Sequence, residues 1–134
     1  RFAEVLRRRF PGAQVLTVDA GHLDGLRLAG ARPLGAVVSG LPLLTMPPQK
    51  VTTILRSAFR HMRPDGAFYQ FTYGLRSPVP RRLADRLGLR ITRVGKVHLN
   101  LPPATVYRIT QSVPSSARPV PRARAGLEAV AEGD

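Results

Sequence analysis

Residues 35–74 read GAVVSGLPLLTMPPQKVTTILRSAFRHMRPDGAFYQFTYG, and this stretch decides the fold. Gly35-Ala36-Val37-Val38-Ser39 is a short apolar run, the pattern of a strand buried on both faces. It stops at Gly40-Leu41-Pro42. Pro47 and Pro48 stand where a helix begins, because the N–H that proline lacks has no partner in a first turn anyway. Val51, Ile54, Leu55, Ala58, Phe59 and Met62 then recur at helical spacing. Arg60, His61 and Arg63 fall in the last turn, where cations suit the helix dipole. Pro64-Asp65-Gly66 reads as a turn. Ala67 to Tyr73 is the strongest strand signal in the chain, since Phe68, Tyr69, Phe71, Thr72 and Tyr73 are all strand formers. Tyr69 and Phe71 are expected in the core. Strand, helix, strand is the unit that pairs two parallel strands through a crossover.

The pattern extends in both directions. Upstream, Phe2, Val5, Leu6 and Phe10 mark an amphipathic helix that Pro11-Gly12 stops. Gln14 to Val18 is a β-branched run ending at Asp19, the signature of another buried parallel strand. His22 to Leu28 can form a short helix closed by Gly30. Downstream, Gly74 to Pro80 is a loop and Arg81 to Leu87 a helix with Gly88 at its C-terminal end. Arg90 to Leu99 and Thr105 to Thr110 are strands. Asn100 to Ala104 is short enough to join them as an antiparallel pair. Ser112 to Asp134 is rich in Pro, Ser, Arg and Ala and reads as a disordered basic tail, with a weak helix at Ala125 to Val130. The expected class is α/β: a mostly parallel sheet with crossovers and an antiparallel closing pair.

Composition narrows the chemistry. The 134 residues suffice for one small domain with its own core. No cysteine is present, which excludes disulfides and cysteine-ligated zinc. Lys+Arg number 21 against 8 Asp+Glu, a net charge of +13, and Lys50 and Lys96 are the only lysines. Such a surface attracts phosphates of nucleic acid or of an anionic membrane. The arginines are scattered, which also fits a plain solvated surface written in arginine. No apolar run reaches the roughly 18–20 residues of a membrane-spanning helix. The nearest, Gly35 to Pro48, is broken by Ser39, Gly40, Pro42 and Thr45. Arg1 falls inside the first helical pattern, so the chain is expected to be a piece of a longer product.

In an open parallel sheet, ligands bind beyond the carboxyl ends of the strands. That rule selects Asp19-Ala20, Ser39-Gly40-Leu41-Pro42 and Tyr73-Gly74, expected side by side along one rim. Asp19 also suits a helix N-cap, and Ser39 to Pro42 a plain strand-ending turn. His22, His61 and His98 are too scattered for a metal set. Asp24, Asp65 and Asp85 show no pairing suited to acid–base work.

Five strings carry a family resemblance: VLTVDA (15–20), VVSGLPL (37–43), HMRPDG (61–66), FYQFTYG (68–74) and SPVPRRLADRLGL (77–89). Together they resemble the class I S-adenosylmethionine methyltransferases, and among them the bacterial phospholipid (phosphatidylethanolamine) N-methyltransferases, a branch similar to the rRNA adenine dimethylases. The match runs from about Arg1 to Thr110. It implies a partial Rossmann-like methyltransferase domain over residues 1–111, with the tail at 112–134. It implies that Asp19 takes the exocyclic amine of the cofactor's adenine and that Ala20 packs beside that ring. Ser39, Gly40, Leu41 and Pro42 match the loop between cofactor and methyl acceptor, Ser39 touching both, and Tyr73 lies by the acceptor pocket.

Chemistry agrees with those roles. A carboxylate makes a strong hydrogen bond to an amino group, glycine lets a backbone approach closely, and proline fixes a loop before the ligand arrives. Methyl transfer needs orientation and a dry site, and no metal. The family's first strand, glycine-rich loop and second strand with its ribose-binding acid have no counterpart here, and Gly35-Ala36 stands where the family often has an acid. The isolated chain is therefore expected to be inactive, and its strand at Ala36 to Ser39 to leave an unpaired edge open to self-association.

The resemblance implies an enzyme of the cytoplasm, peripheral at the inner membrane face, methylating a phospholipid headgroup and attracted to anionic membrane surface. Two other classes compete. One is an RNA adenine N-methyltransferase, whose charge would meet the nucleic acid backbone; the loop at Ser39 to Pro42 lacks that branch's Asn-Pro-Pro-aromatic string. The other is a non-catalytic basic remnant acting as an interaction module.

Overall fold

The computed structural model describes residues 2–25, 32–97, 99 and 103–112. Its helices are α1 (Phe2–Arg9), α2 (Pro48–His61) and α3 (Arg81–Leu87). Its strands are β1 (Leu34–Ser39), β2 (Met62–Tyr73), β3 (Leu89–Val97) and β4 (Ala104–Gln111). Short 3-10 turns occupy Ala20–Gly25 and Leu43–Thr45. Most of the link at Asn100 to Ala104, the end of the helix expected to reach Leu28, and the tail beyond Ser112 with its helix at Ala125 to Val130 lie outside the described residues.

The centre is the unit read from residues 35–74. β1 and β2 pair in parallel, Val37 opposite Phe68 and Ser39 opposite Gln70. α2 starts on Pro48 and crosses back over one face of the sheet. Its stripe is buried as the spacing requires, from Leu55 at 0% exposure to Phe59 at 8%. The Phe59 and Phe68 rings meet at 6.3 Å between centroids. α3 adds Leu83 and Ala84 to the same core, and Leu89 and Ile109 close it. Gly88 ends α3 in the left-handed region (φ 66°), and its N–H donates to the Asp85 carbonyl at 3.1 Å, as a glycine cap does.

The sheet order is β1-β2-β4-β3. The expected closing pair forms, β4 lying antiparallel between β2 and β3. The fold is thus α/β with a four-stranded open mixed sheet. It is not mostly parallel: one of its three pairings is parallel and two are antiparallel.

Four further expectations are corrected. Gln14 to Val18 forms no strand, and Leu16 and Val18 are exposed. A strand exists only by pairing, and no strand pairs with this run among the described residues; instead the Arg7 side chain donates to Val15 O at 3.1 Å. β1 is an edge among the described residues, as expected for Ala36 to Ser39, but it is not buried on both faces, and Val38 is 83% exposed. Tyr69 and Phe71 are half-buried on the sheet face opposite α2 rather than in the core. Pro64-Asp65-Gly66 does not separate two elements; it is absorbed into β2 as a bulge. Leu34 pairs with Met62 and Ala36 with Ala67, so residues 63–66 loop out within the strand. Gly66 is required there, since a Cβ would stand 2.9 Å from the Arg63 carbonyl oxygen and 3.2 Å from that of Gly35. α1 forms as the spacing predicts, but it buries none of its residues.

The core and the exposed run should respond oppositely to truncation. Leu55→Ala is expected to cost about 2–5 kcal/mol in urea unfolding, whereas Val18→Ala should stay within about 0.5 kcal/mol. A large loss for Val18→Ala would return residues 14–18 to the sheet.

Candidate functional site

The carboxyl ends of β1 and β2 lie side by side, and each continues into a tied loop. After β1, Ser39 is buried, 7% exposed, and its hydroxyl accepts the Leu41 N–H at 3.2 Å. Leu43 N–H donates to Leu41 O at 2.8 Å. Both the N–H and the hydroxyl of Thr45 donate to Pro42 O at 3.0 Å. The loop is therefore shaped by its own bonds before any ligand arrives. A Cβ on Gly40 would meet nothing within 4 Å, so its backbone faces open space.

β2 runs three residues past the register of Ser39 and ends at Tyr73. The Tyr73 ring is 61% exposed and stands edge-on to Phe71 at 5.1 Å, on the face away from α2. Gly74 has φ 97°, a conformation that glycine adopts without strain. Its N–H donates to Pro103 O at 2.7 Å, and the buried Thr105 hydroxyl donates to its carbonyl at 2.9 Å.

Gln70 ties the loop after β1 to β2. It lies opposite Ser39, is fully buried, and its Nε2 donates to Leu41 O and to Phe71 O, both at 2.7 Å. Its Oε1 has no hydrogen-bond partner among the described residues. Sequence reasoning passed over Gln70. Its signal was a lone amide within an aromatic strand, FYQFTY, where a buried polar group must find partners.

Asp19 approaches the same end of the sheet by a different route. No strand carries it. One carboxylate oxygen accepts the Gly21 N–H at 2.7 Å, the cap-like role open to an aspartate before a helical turn. The other pairs with Lys50 Nζ at 3.0 Å, in the first turn of α2. That turn follows directly from the loop after β1. Ala20 begins the 3-10 turn, which packs along α2, where Asp24 meets Arg60 at 2.9 Å. The Gly21 N–H first, then Lys50, hold the Asp19 carboxyl below its ordinary value of 3.8. Lys50, also unmarked by sequence reasoning, is what brings Asp19 to this end.

The expected residues thus share one end of the molecule but not one pocket. Asp19 lines a surface depression of about 450 Å³ with Gly21, His22, Pro47, Lys50 and Thr53, and neither Ser39 to Pro42 nor Tyr73 borders it. Tyr73 and Ser39 also point to opposite faces of the sheet. Among the described residues no three His, Asp or Glu gather as a metal would need. No helix among them is long and apolar enough to cross a membrane.

Two measurements probe this end. Gln70→Met leaves the Leu41 and Phe71 carbonyls without their donor, with an expected cost of about 1–3 kcal/mol and faster hydrogen exchange at the amides of Leu41 and Leu43. Unchanged exchange there would show the loop to be held by other means. The lowered Asp19 value means its tether adds stability above the unfolded aspartate range and loses it as pH falls through the folded value. The Asp19 carboxyl carbon should titrate in NMR below 3.8, and Lys50→Met should move that midpoint upward. A midpoint unmoved by Lys50→Met would dissolve the pair.

Comparison with protein-family models and with curated proteins finds no match for the chain.

Proposed function

We propose that this chain is part of a class I S-adenosylmethionine-dependent methyltransferase domain, over residues 1–111, whose acceptor is the amine of a phosphatidylethanolamine headgroup at the inner membrane face. One observation carries the reading. Two loops already braced by hydrogen bonds, Ser39 to Pro42 and Tyr73-Gly74, stand at the carboxyl ends of adjacent parallel strands, the first tied to β2 by Gln70 and the second to β4 by Thr105. That is where a sheet of this kind receives ligands. The closing antiparallel pair and the crossover helix agree with the same reading, and so do the five matching strings.

S-adenosylmethionine supplies the methyl group. The residues present fit one end of it. Asp19 keeps lone pairs beyond those used by Gly21 and Lys50, so its carboxylate can take an adenine amine. Ala20 leaves room beside a flat ring. A cradle for the amino-acid end would need the glycine-rich loop, which has no counterpart in these residues. At the other loop, the bare Gly40 backbone offers close approach, and the Tyr73 ring supplies an exposed aromatic face at which a substrate ammonium or its methylated product can rest. Orientation and exclusion of water are the tasks of these groups; none serves as a nucleophile. The net charge of +13 draws the protein to phosphate-bearing surfaces.

The test is calorimetry and methyl incorporation together. S-adenosylhomocysteine should bind weakly or not at all to this chain, and in the micromolar range or tighter to a product extended by a glycine-rich loop. That product should transfer labelled methyl groups to phosphatidylethanolamine vesicles. Transfer to RNA instead would move the acceptor to the neighbouring branch, and no binding by the extended product would leave a non-catalytic basic module.

A further inference from the structure

The two ends of the sheet show different surfaces to solvent. Register sets Tyr73, Ala104 and Val97 side by side, so the end of β2, the start of β4 and the end of β3 form one rim. From Gly40 onward, the large apolar side chains exposed among the described residues are Leu44, Tyr73, Leu75, Val94, Val97 and Leu99. Leu44 sits in the loop after β1, Tyr73 and Leu75 at the end of β2, and the other three at the end of β3. The opposite end, where β2 and β3 begin and β4 finishes, exposes none of this kind among the described residues. Val94 is the residue that the slip between Arg93 and Gly95 leaves unpaired, and a bulge re-aims its side chain. Leu75 is held in place: the Tyr107 hydroxyl donates to its carbonyl at 3.3 Å. Leu99 is 99% exposed. β3 is the edge strand farthest from β1.

Charge tells what this rim can meet. Arg76, Arg93 and Lys96 stand among these side chains. Asp85 is the sole acid from Gly66 to Leu127, and none of the three cations has an ion-pair partner among the described residues. Aliphatic side chains set between cations suit the interface of an anionic bilayer. The apolar groups reach the acyl boundary, and the cations meet headgroup phosphates. Nucleic acid fits less well, since valine and leucine offer no ring on which a base can stack. A second copy of the chain fits less well too, because two cationic rims repel each other.

We propose that the rim carrying Leu75, Arg76, Val94, Lys96, Val97 and Leu99 docks on an anionic phospholipid bilayer, which, resting on the reading of a lipid headgroup as methyl acceptor, turns the Tyr73-Gly74 end of β2 toward that headgroup.

Co-sedimentation of the 134-residue chain with vesicles tests this, phosphatidylglycerol mixed equally with phosphatidylcholine against phosphatidylcholine alone. At about 0.1 M salt the chain should bind the first far better than the second. Leu75→Ser with Leu99→Ser, which keeps the net charge, should lower binding roughly tenfold or more. Arg76→Gln with Lys96→Gln should lower it roughly fivefold per charge. Arg90→Gln, on the order of 20 Å away at the other end of β3, should change it by less than about twofold. Absence of binding to the anionic vesicles at low salt overturns the proposal, and so does full binding by the leucine variant. A loss caused by Phe2→Ser instead moves the contact to α1. A loss on Arg76→Gln with Lys96→Gln that appears with an RNA oligonucleotide and not with vesicles assigns the rim to nucleic acid. No methyl donor takes part, so docking can hold where S-adenosylhomocysteine binding fails. Conversely, an extended product that methylates phosphatidylethanolamine vesicles equally fast with both leucines replaced keeps the transfer and removes the docking.

Discussion

A parallel pair of strands cannot be closed by a tight turn, and the rest of this structure follows from that limit. The chain leaving β1 must travel back the length of the sheet before β2 can start beside it. α2 makes that journey, and the sheet becomes stable only because α2 brings an apolar stripe with it. Leu55 and Phe59 on the helix and Phe68 and Ile109 on the sheet form one buried set. The same geometry puts both strand ends, and the start of α2, at one end of the molecule. The Ser39 to Pro42 loop, Tyr73-Gly74 and the Lys50–Asp19 pair gather there as a by-product of the crossover.

The elements that could be read from the sequence are those whose cause is local. α2 announces itself by period and by its prolines, β2 by aromatic and β-branched residues, and α3 by the glycine that ends it. Residues 14–18 show the limit. Their composition is that of a strand, but strand formation is settled by a partner, and composition does not say whether one is at hand. The same gap hid which faces of β1 and β2 are covered: Val38 and Tyr69 look like core residues in composition, but the face they share carries no helix among the described residues.

The candidate site was legible in its positions and not in its bracing. The rule that ligands sit beyond strand ends selected Ser39 to Pro42 and Tyr73 correctly as neighbours in the sheet. It could not supply Gln70, Lys50 or Thr105, whose partners are 29, 31 and 31 residues away in sequence. Such bonds are long-range, and a single sequence carries no trace of them except an oddly placed polar residue. Asp19 illustrates both halves: its place before a short helical turn was readable, its attachment to α2 was not.

The join between α2 and β2 has no slack. The helix ends at His61 and the strand starts at Met62, with the extra residues of the bulge set inside the strand rather than before it. The join at the other end of the helix is eight residues long, from Gly40 to Pro47. That longer join is itself tied, through Ser39, Pro42 and Gln70, so a ligand arriving at the Gly40 end would press on a loop fastened both to the sheet and to the start of the helix.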